Sequence, residues 1–195
     1  MKRWSCWGVS KVLEAKPSLP ELIRWRLALD RRIAKRGVEH YLSKGMQAHQ
    51  IGERWGQKLQ RTREDLITLI QRERLTIVKR EEPLPNPLGI RAWLDTGRKE
   101  ILLFMPVLKS IEEQLPWTAE DLVPIALAHE FFHYLQSEGK IEFLSSRWPI
   151  GKRWRLFPLR TTAFDEIAAF GFARGILQLP YSPLVIDYFM VEEGA

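Results

Sequence analysis

Apolar positions along this chain fall into three kinds of run, and each predicts a different element. From Leu122 to Leu135 nearly every residue is apolar, as in a helix buried on all sides rather than one with a single apolar stripe. Thr118-Ala119-Glu120-Asp121 precedes it and looks like a capping box, with Asp121 in the usual Glu/Gln place. Gly139 supplies a stop, while Pro124 predicts a kink or a later start. A second such helix is capped by Thr161 or Thr162 and carries Ala168, Ala169, Gly171 and Ala173. Those small residues permit close packing on another helix.

The first 80 residues show the amphipathic kind of run. Ser18-Leu19-Pro20-Glu21 is a capping box with Pro in the first turn. It opens a helix through Leu22, Ile23, Trp25, Leu29 and Ile33 to Gly37. A shorter piece, Val38 to Ser43, ends at Gly45, and Met46 to Leu59 carries Ile51, Trp55 and Leu59 on one face. Thr62-Arg63-Glu64-Asp65 caps another helix with Leu66, Ile67, Leu69 and Ile70. The pair across this link reads either as a helix-turn-helix or as a small bundle packed on the rest of the chain.

Strand-like runs fill the middle. Leu75-Thr76-Ile77-Val78 is one; Gly89 to Leu94, a turn at Asp95-Thr96-Gly97, and Glu100 to Phe104 form a hairpin by residue type. The stiff, proline-rich Glu82 to Pro87 marks a boundary, and Pro106 opens a helix to about Leu115. The pattern therefore predicts an α+β chain: a helical module over residues 1–80, then a mainly helical domain with a small sheet over 82–195.

Composition narrows the class. With 45% hydrophobic and 28% charged residues among 195, the chain reads as a soluble globular protein. No stretch approaches the ~20 apolar residues of a membrane span, so no membrane partner is expected. Met1-Lys2-Arg3-Trp4 begins like a signal peptide, but Ser10, Lys11, Glu14 and Lys16 interrupt the apolar run one would need. Cys6 is the single cysteine, which leaves no intrachain disulfide and makes the cytoplasm the expected compartment. Charge is split: residues 1–80 hold 19 Lys/Arg and 8 Asp/Glu, a net +11, so the remainder of the total +6 is −5. A basic half of this kind fits either a nucleic-acid partner or solvated helix faces. Ser145 to Arg160 adds five cations, no acids, and Trp148, Trp154 and Phe157. Such a stretch fits nucleic-acid or acidic-peptide binding, or a strand with one solvated face.

The chemistry lies inside the most apolar helix. His129-Glu130-Phe131-Phe132-His133 places two imidazoles four apart, on one helix face. Such a pair can hold one Zn2+, with Glu130 beside it to take a proton from water. The alternative is a buried helix whose histidines are satisfied by core hydrogen bonds. A catalytic zinc wants a third protein ligand and an open position. No histidine follows His133, so that ligand should be a carboxylate, and Asp165 or Glu166 at the head of the second apolar helix can supply it. Both also suit the positive end of the helix dipole without any metal.

H-E-x-x-H followed by a helix with E-x-x-A looks like the gluzincin arrangement of zincin metallopeptidases. Within that group, Glu166-x-x-Ala169-x-x-Phe172-Ala173, then Ile176-Leu177 and Pro180, resembles the ImmA/IrrE-type metallopeptidases over about residues 88–182. Phe132 stands where that pattern usually has Gly, Phe170 where a polar residue is common, and the segment between the helices is longer. The resemblance implies that Glu166 is the third ligand of one Zn2+, that the fold is zincin-like, and that a protein or peptide is hydrolysed with Glu130 as base. An oxyanion helper is also needed, for which Tyr134, Tyr181 and Arg160 are the candidates. A reading from another class is a DNA-binding regulatory or toxin–antitoxin-like protein whose zincin fold is a sensor or structural core.

Overall fold

The structure is a computed structural model that describes residues 17–82, 91–153 and 157–192. It is an α+β fold, mainly helical, with a small three-stranded mixed sheet. The proline-rich stretch expected to mark a boundary falls almost wholly outside the described residues, as does the signal-like N-terminus. No helix among the described residues is long and apolar enough to cross a membrane.

The first helix, α1 (Leu19–Ala28), starts as expected: the Ser18 amide donates to the Glu21 carboxylate at 2.7 Å. It does not run on to Gly37. Asp30 is extended, and its carboxylate accepts from the amides of Arg32 and Ile33 at 2.8 and 3.2 Å. It thereby starts a separate short helix, α2 (Arg31–Ala34). The opposite correction applies to α3 (Glu39–Gln60), which passes straight through Gly45. That glycine is a close contact rather than a stop, since a Cβ there would stand 2.6 Å from Ile23 Cγ2.

α3 carries the rest of the frame. A Cβ on its Gly52 would fall 1.8 Å from the Ala168 carbonyl oxygen of α8 (Ala163–Leu177), and one on Gly171 of α8 would fall 2.1 Å from the His49 carbonyl oxygen. The two helices touch backbone to backbone, so neither tolerates a methyl at the crossing. The core is consequently continuous from Leu22 to Phe189. The expected division into a 1–80 module and an 82–195 domain does not correspond to two cores. α4 (Leu66–Arg72) is two turns long, with Leu66, Leu69 and Ile70 buried and Arg72 paired to Glu64 at 2.7 Å.

The sheet has the order β1-β3-β2. β1 (Thr76–Arg80) runs parallel to β3 (Glu100–Phe104), and β2 (Ala92–Asp95) forms the expected hairpin with β3. Helix α5 (Met105–Gln114) leads to α6 (Ala119–Ser137), whose Thr118–Asp121 capping box is present as read. α6 continues through Pro124 and stops just before Gly139, which takes φ +70°. After α7 (Leu144–Arg147), strands β4 (Gly151–Arg153) and β5 (Phe157–Leu159) pair antiparallel and lead into α8. A last helix, α9 (Leu184–Glu192), packs on α1: Trp25 Nε1 donates to Glu192 at 2.8 Å, and its ring meets Tyr188 edge-on.

Candidate metal centre

α6 and α8 meet at one polar point. The imidazoles of His129 and His133 lie one turn apart, with their Nε2 atoms 3.2 Å from each other. Glu166, in the first turn of α8, faces both: Oε2 is 3.2 Å from His129 Nε2 and Oε1 is 3.5 Å from His133 Nε2. Donors about 2.0–2.1 Å from a tetrahedral zinc stand about 3.3 Å apart, so these separations fit three ligands of one ion. The donor set, two imidazoles and a carboxylate, is also that of a catalytic rather than a closed structural zinc site. His129, His133 and Glu166 form the one such cluster found among the described residues.

Asp165 turns the other way. Its Oδ1 accepts from the Leu144 amide at 2.7 Å and from Gln136 Nε2 at 2.8 Å, and its Oδ2 accepts from the Ser145 amide at 3.2 Å. It is 3% exposed and serves as the cap that starts α7. Of the two carboxylates only Glu166 faces the histidine pair, since neighbours on a helix point about 100° apart.

Gln136 links these two halves and was not singled out in the sequence. Its amide nitrogen must face the Asp165 carboxylate, because a carboxylate only accepts. Its Oε1 therefore turns to His133 Nδ1, 3.1 Å away. That acceptor fixes the proton on Nδ1 and leaves the Nε2 lone pair for the cluster. The available signal was a polar residue three positions after His133, within a buried run. His129 Nδ1 has no hydrogen-bond partner among the described residues; its ring packs edge-on against Phe170 at 4.7 Å.

Charge balances differ across the cluster. Burial opposes ionisation of Glu166, but the His129 hydrogen bond and the charges of His129, His133 and Arg26 outweigh it and hold its pKa down at about 2. Burial likewise disfavours charged His129, yet the bond to Glu166, its charge and that of Glu130 raise the pKa above the ordinary value. His133 is pushed below its usual value by burial and by His129.

The cluster opens into a cleft of about 480 Å³. Glu130 lines it beside His129, and its carboxylate makes no hydrogen bond among the described residues. The sheet side contributes Arg91 and Ala92; α1 and α9 contribute Arg26, Leu29 and Val191. Leu29 and Val191 are 47% and 56% exposed, an apolar lip on the mouth. Arg91 pairs with Asp187 of α9, joining the two sides. Arg26 Nη2 is 3.7 Å from Glu166 Oε2.

None of the three expected oxyanion helpers lines this cleft. Tyr134 is buried, and its hydroxyl donates to the Glu73 carbonyl at 3.3 Å. Tyr181 accepts from Trp117 Nε1 at 2.7 Å, and burial pushes its pKa up to about 12. Arg160 Nη1 bonds Ser146 Oγ at 3.2 Å before α8 begins. The cations that do reach the cleft, Arg26 and Arg91, come from segments where sequence offered no chemical motif. Comparison with known proteins finds no family model, no curated protein and no solved structure that matches this chain.

Proposed function

We propose that the protein is a zinc-dependent metallopeptidase acting on a protein or peptide, with a zincin-like arrangement of α6, α8 and the sheet. The observation that carries this reading is the set of three donors at 3.2, 3.2 and 3.5 Å, with Glu130 alongside in an open cleft. His129, His133 and Glu166 hold one Zn2+. When bound, zinc lowers the pKa of water and polarises a scissile carbonyl.

The protein's own groups do the rest. Glu130 accepts the proton of the attacking water and passes it to the leaving amine. Gln136 keeps His133 in the tautomer that presents Nε2. Arg26 places a positive charge where the carbonyl oxygen gains negative charge. Phe170 and the apolar lip of Leu29 and Val191 keep bulk water from the reacting groups. β2 is an outer strand of the sheet, so an extended substrate can align along it as an added strand and reach the cleft past Ala92. With Cys6 the single cysteine, the reading places this activity in the cytoplasm.

The test is metal analysis of the purified full-length protein, followed by cleavage of a mixed peptide library. One equivalent of zinc and hydrolysis that Glu130→Gln abolishes, with zinc retained, is the expected result. Zinc below about half an equivalent under non-chelating conditions overturns the site. Full zinc without Glu130-dependent hydrolysis overturns the enzyme and leaves a metal-stabilised core.

A further inference from the structure

Some cations of this protein have acidic partners: Arg72 with Glu64, Arg98 with Asp95, Lys109 with Glu81. Others do not, and six of those belong to segments that the fold ties together. Arg31, Arg32, Lys35 and Arg36, along α2 and just after it, are exposed, and so are Arg147 and Arg160. None of the six forms an ion pair among the described residues. The nearby carboxylates are engaged elsewhere: Asp30 caps α2 and accepts from Thr161, and Glu39 holds Arg24.

The fold gathers these cations from two segments more than a hundred residues apart. Arg32 Nη1 donates to the Arg160 carbonyl at 2.9 Å. The Arg36 guanidinium stands 3.5 Å from where a Cβ on Gly151 would be, at the head of β4. Arg160 in turn holds Ser146 beside Arg147, and Tyr41 pins the segment from beneath through the Ile150 carbonyl at 3.0 Å. Every acceptor in this network is neutral. Asp30, at the head of α2, offsets part of the charge of Arg32, but one carboxylate among six cations leaves a repulsion that a bound anion removes. Five of the six are arginines, whose guanidinium carries five N–H donors in a planar fork suited to phosphate oxygens. Arg32, Arg36 and Arg160 each spend one donor on a neutral anchor, which orients the others without cancelling the charge.

We propose that this composite face, built from α2 together with Arg147 and Arg160, binds the phosphate backbone of a nucleic acid. Preorganisation decides between that partner and an acidic peptide. Each strand of a duplex presents one phosphate about every 3.4 Å of axis on a stiff backbone, whereas a peptide of similar charge spacing loses conformational freedom when it is ordered on the face. The duplex meets several of these arginines without that cost. The face is not the α3–α4 pair that the charge split of the sequence points to, and it stands independently of the peptidase reading.

The test is anisotropy of a labelled duplex of about 20 base pairs with the full-length protein at several salt concentrations. If four phosphates are neutralised, affinity falls about fifty-fold between about 50 and about 150 mM salt, since log K drops about 0.9 per phosphate. Arg31→Gln, Lys35→Gln and Arg147→Gln together leave the anchors Arg32 and Arg160 in place, and this triple variant lowers the magnitude of the salt slope by about 2 to 3. Should the change at Arg147 loosen α7, as seen by melting, Arg31→Gln with Lys35→Gln gives the same test with a smaller slope change. Arg72→Gln, Arg98→Gln and Lys109→Gln remove the same formal charge from paired positions and leave binding as in the unmodified protein. Three results overturn the proposal: no salt-dependent binding, equal losses in the two triple variants, or an acidic peptide of matched charge binding as tightly as the duplex.

Discussion

Two histidine environments sit against α8, one partly exposed and one buried, and they show what separates a site from a filled core. His129 and His133 project from α6 toward Glu166, with three donors converging and a cleft on the fourth side. His49 projects from α3 and is 0% exposed; its Nε2 meets the Ser182 hydroxyl at 3.0 Å, with no cleft. Glu53 is present near Nδ1, but at 3.8 Å, beyond hydrogen-bond reach. Ser182 also accepts from the Leu184 amide at 3.4 Å, so it is part of the start of α9. One neutral hydrogen bond satisfies His49 Nε2, while its Nδ1, like that of His129, has no hydrogen-bond partner among the described residues. At the cluster His129 and Glu166 share a hydrogen bond, and all three donors also lie close enough together for one cation to be held by them.

Exchanging one histidine in each environment gives the largest expected contrast. His133→Ala removes a ligand, so zinc affinity falls by on the order of a hundredfold to a thousandfold, a share of the about 10–16 kcal/mol of a structural zinc site. Peptide hydrolysis goes with it. His49→Gln leaves zinc affinity and hydrolysis near those of the unmodified protein. Competition with a chelating dye reads both, and equal zinc affinities in the two variants would remove His133 from the ligand set.

The same contrast appears in pH. Burial, then the charge of Arg174, lowers the His49 pKa from 6.5 to about 4. Its folded pKa is thus below its unfolded one. The neutral form is favoured in the fold, so stability is full above pH 6.5 and is lost as pH falls toward 4. At 1.36 kcal/mol per unit the loss is about 3 kcal/mol. Urea melts of the metal-free protein at the two ends of that window should show it, and His49→Gln should show about 3 kcal/mol less. Equal acid losses in both proteins would mean that His49 takes up its proton within the fold.

The first environment was readable in advance, and the second carried no motif in the sequence. Spacing within one helix identified His129, Glu130 and His133, because helical geometry turns a separation of four into a shared face. Glu166 was legible as one of two carboxylates, but the choice depended on Asp165 being drawn off by the amides of Leu144 and Ser145, a contact over twenty residues. Arg26 and Arg91 were invisible as site residues, since only tertiary packing of α1, β2 and α9 brings them to the cleft. Helix ends followed the same rule. The caps at Ser18 and Thr118 are local and were read, whereas Gly45 looked like a stop because its reason for being glycine is Ile23 on another helix. The tyrosine candidates failed for a related reason: Tyr134 follows His133 directly in sequence, but both tyrosines are buried in the core away from the cleft.

A smaller effect separates a ligand from its support. Gln136→Leu keeps the volume and the apolar surroundings but removes the acceptor for His133 Nδ1 and a donor to Asp165. Loss of such an outer partner costs about 10–100-fold in zinc affinity. The nitrogen shifts of His133 should also move toward a mixture of tautomers in the metal-free protein, a change that general loosening of α6 would not restrict to one ring. Zinc affinity within twofold of the unmodified protein would count against the relay.

The smallest effect has the opposite sign, which makes it the most selective. Arg26 stands 3.7 Å from the Glu166 oxygen that also faces His129, so its charge draws on the same lone pairs that a metal would use. Both side chains are partly exposed, at 22% and 29%, and solvent screening holds the competition to roughly 1 kcal/mol. Arg26→Gln should therefore bind zinc about fivefold more tightly. It should nevertheless hydrolyse peptides more slowly, because the positive charge beside the carbonyl oxygen is gone. A residue that merely braced Glu166 would lower both quantities when removed. Tighter zinc with slower turnover assigns Arg26 to the substrate; weaker zinc with slower turnover returns it to the scaffold, and the electrophilic charge would then fall to Arg91, the other cation lining the cleft.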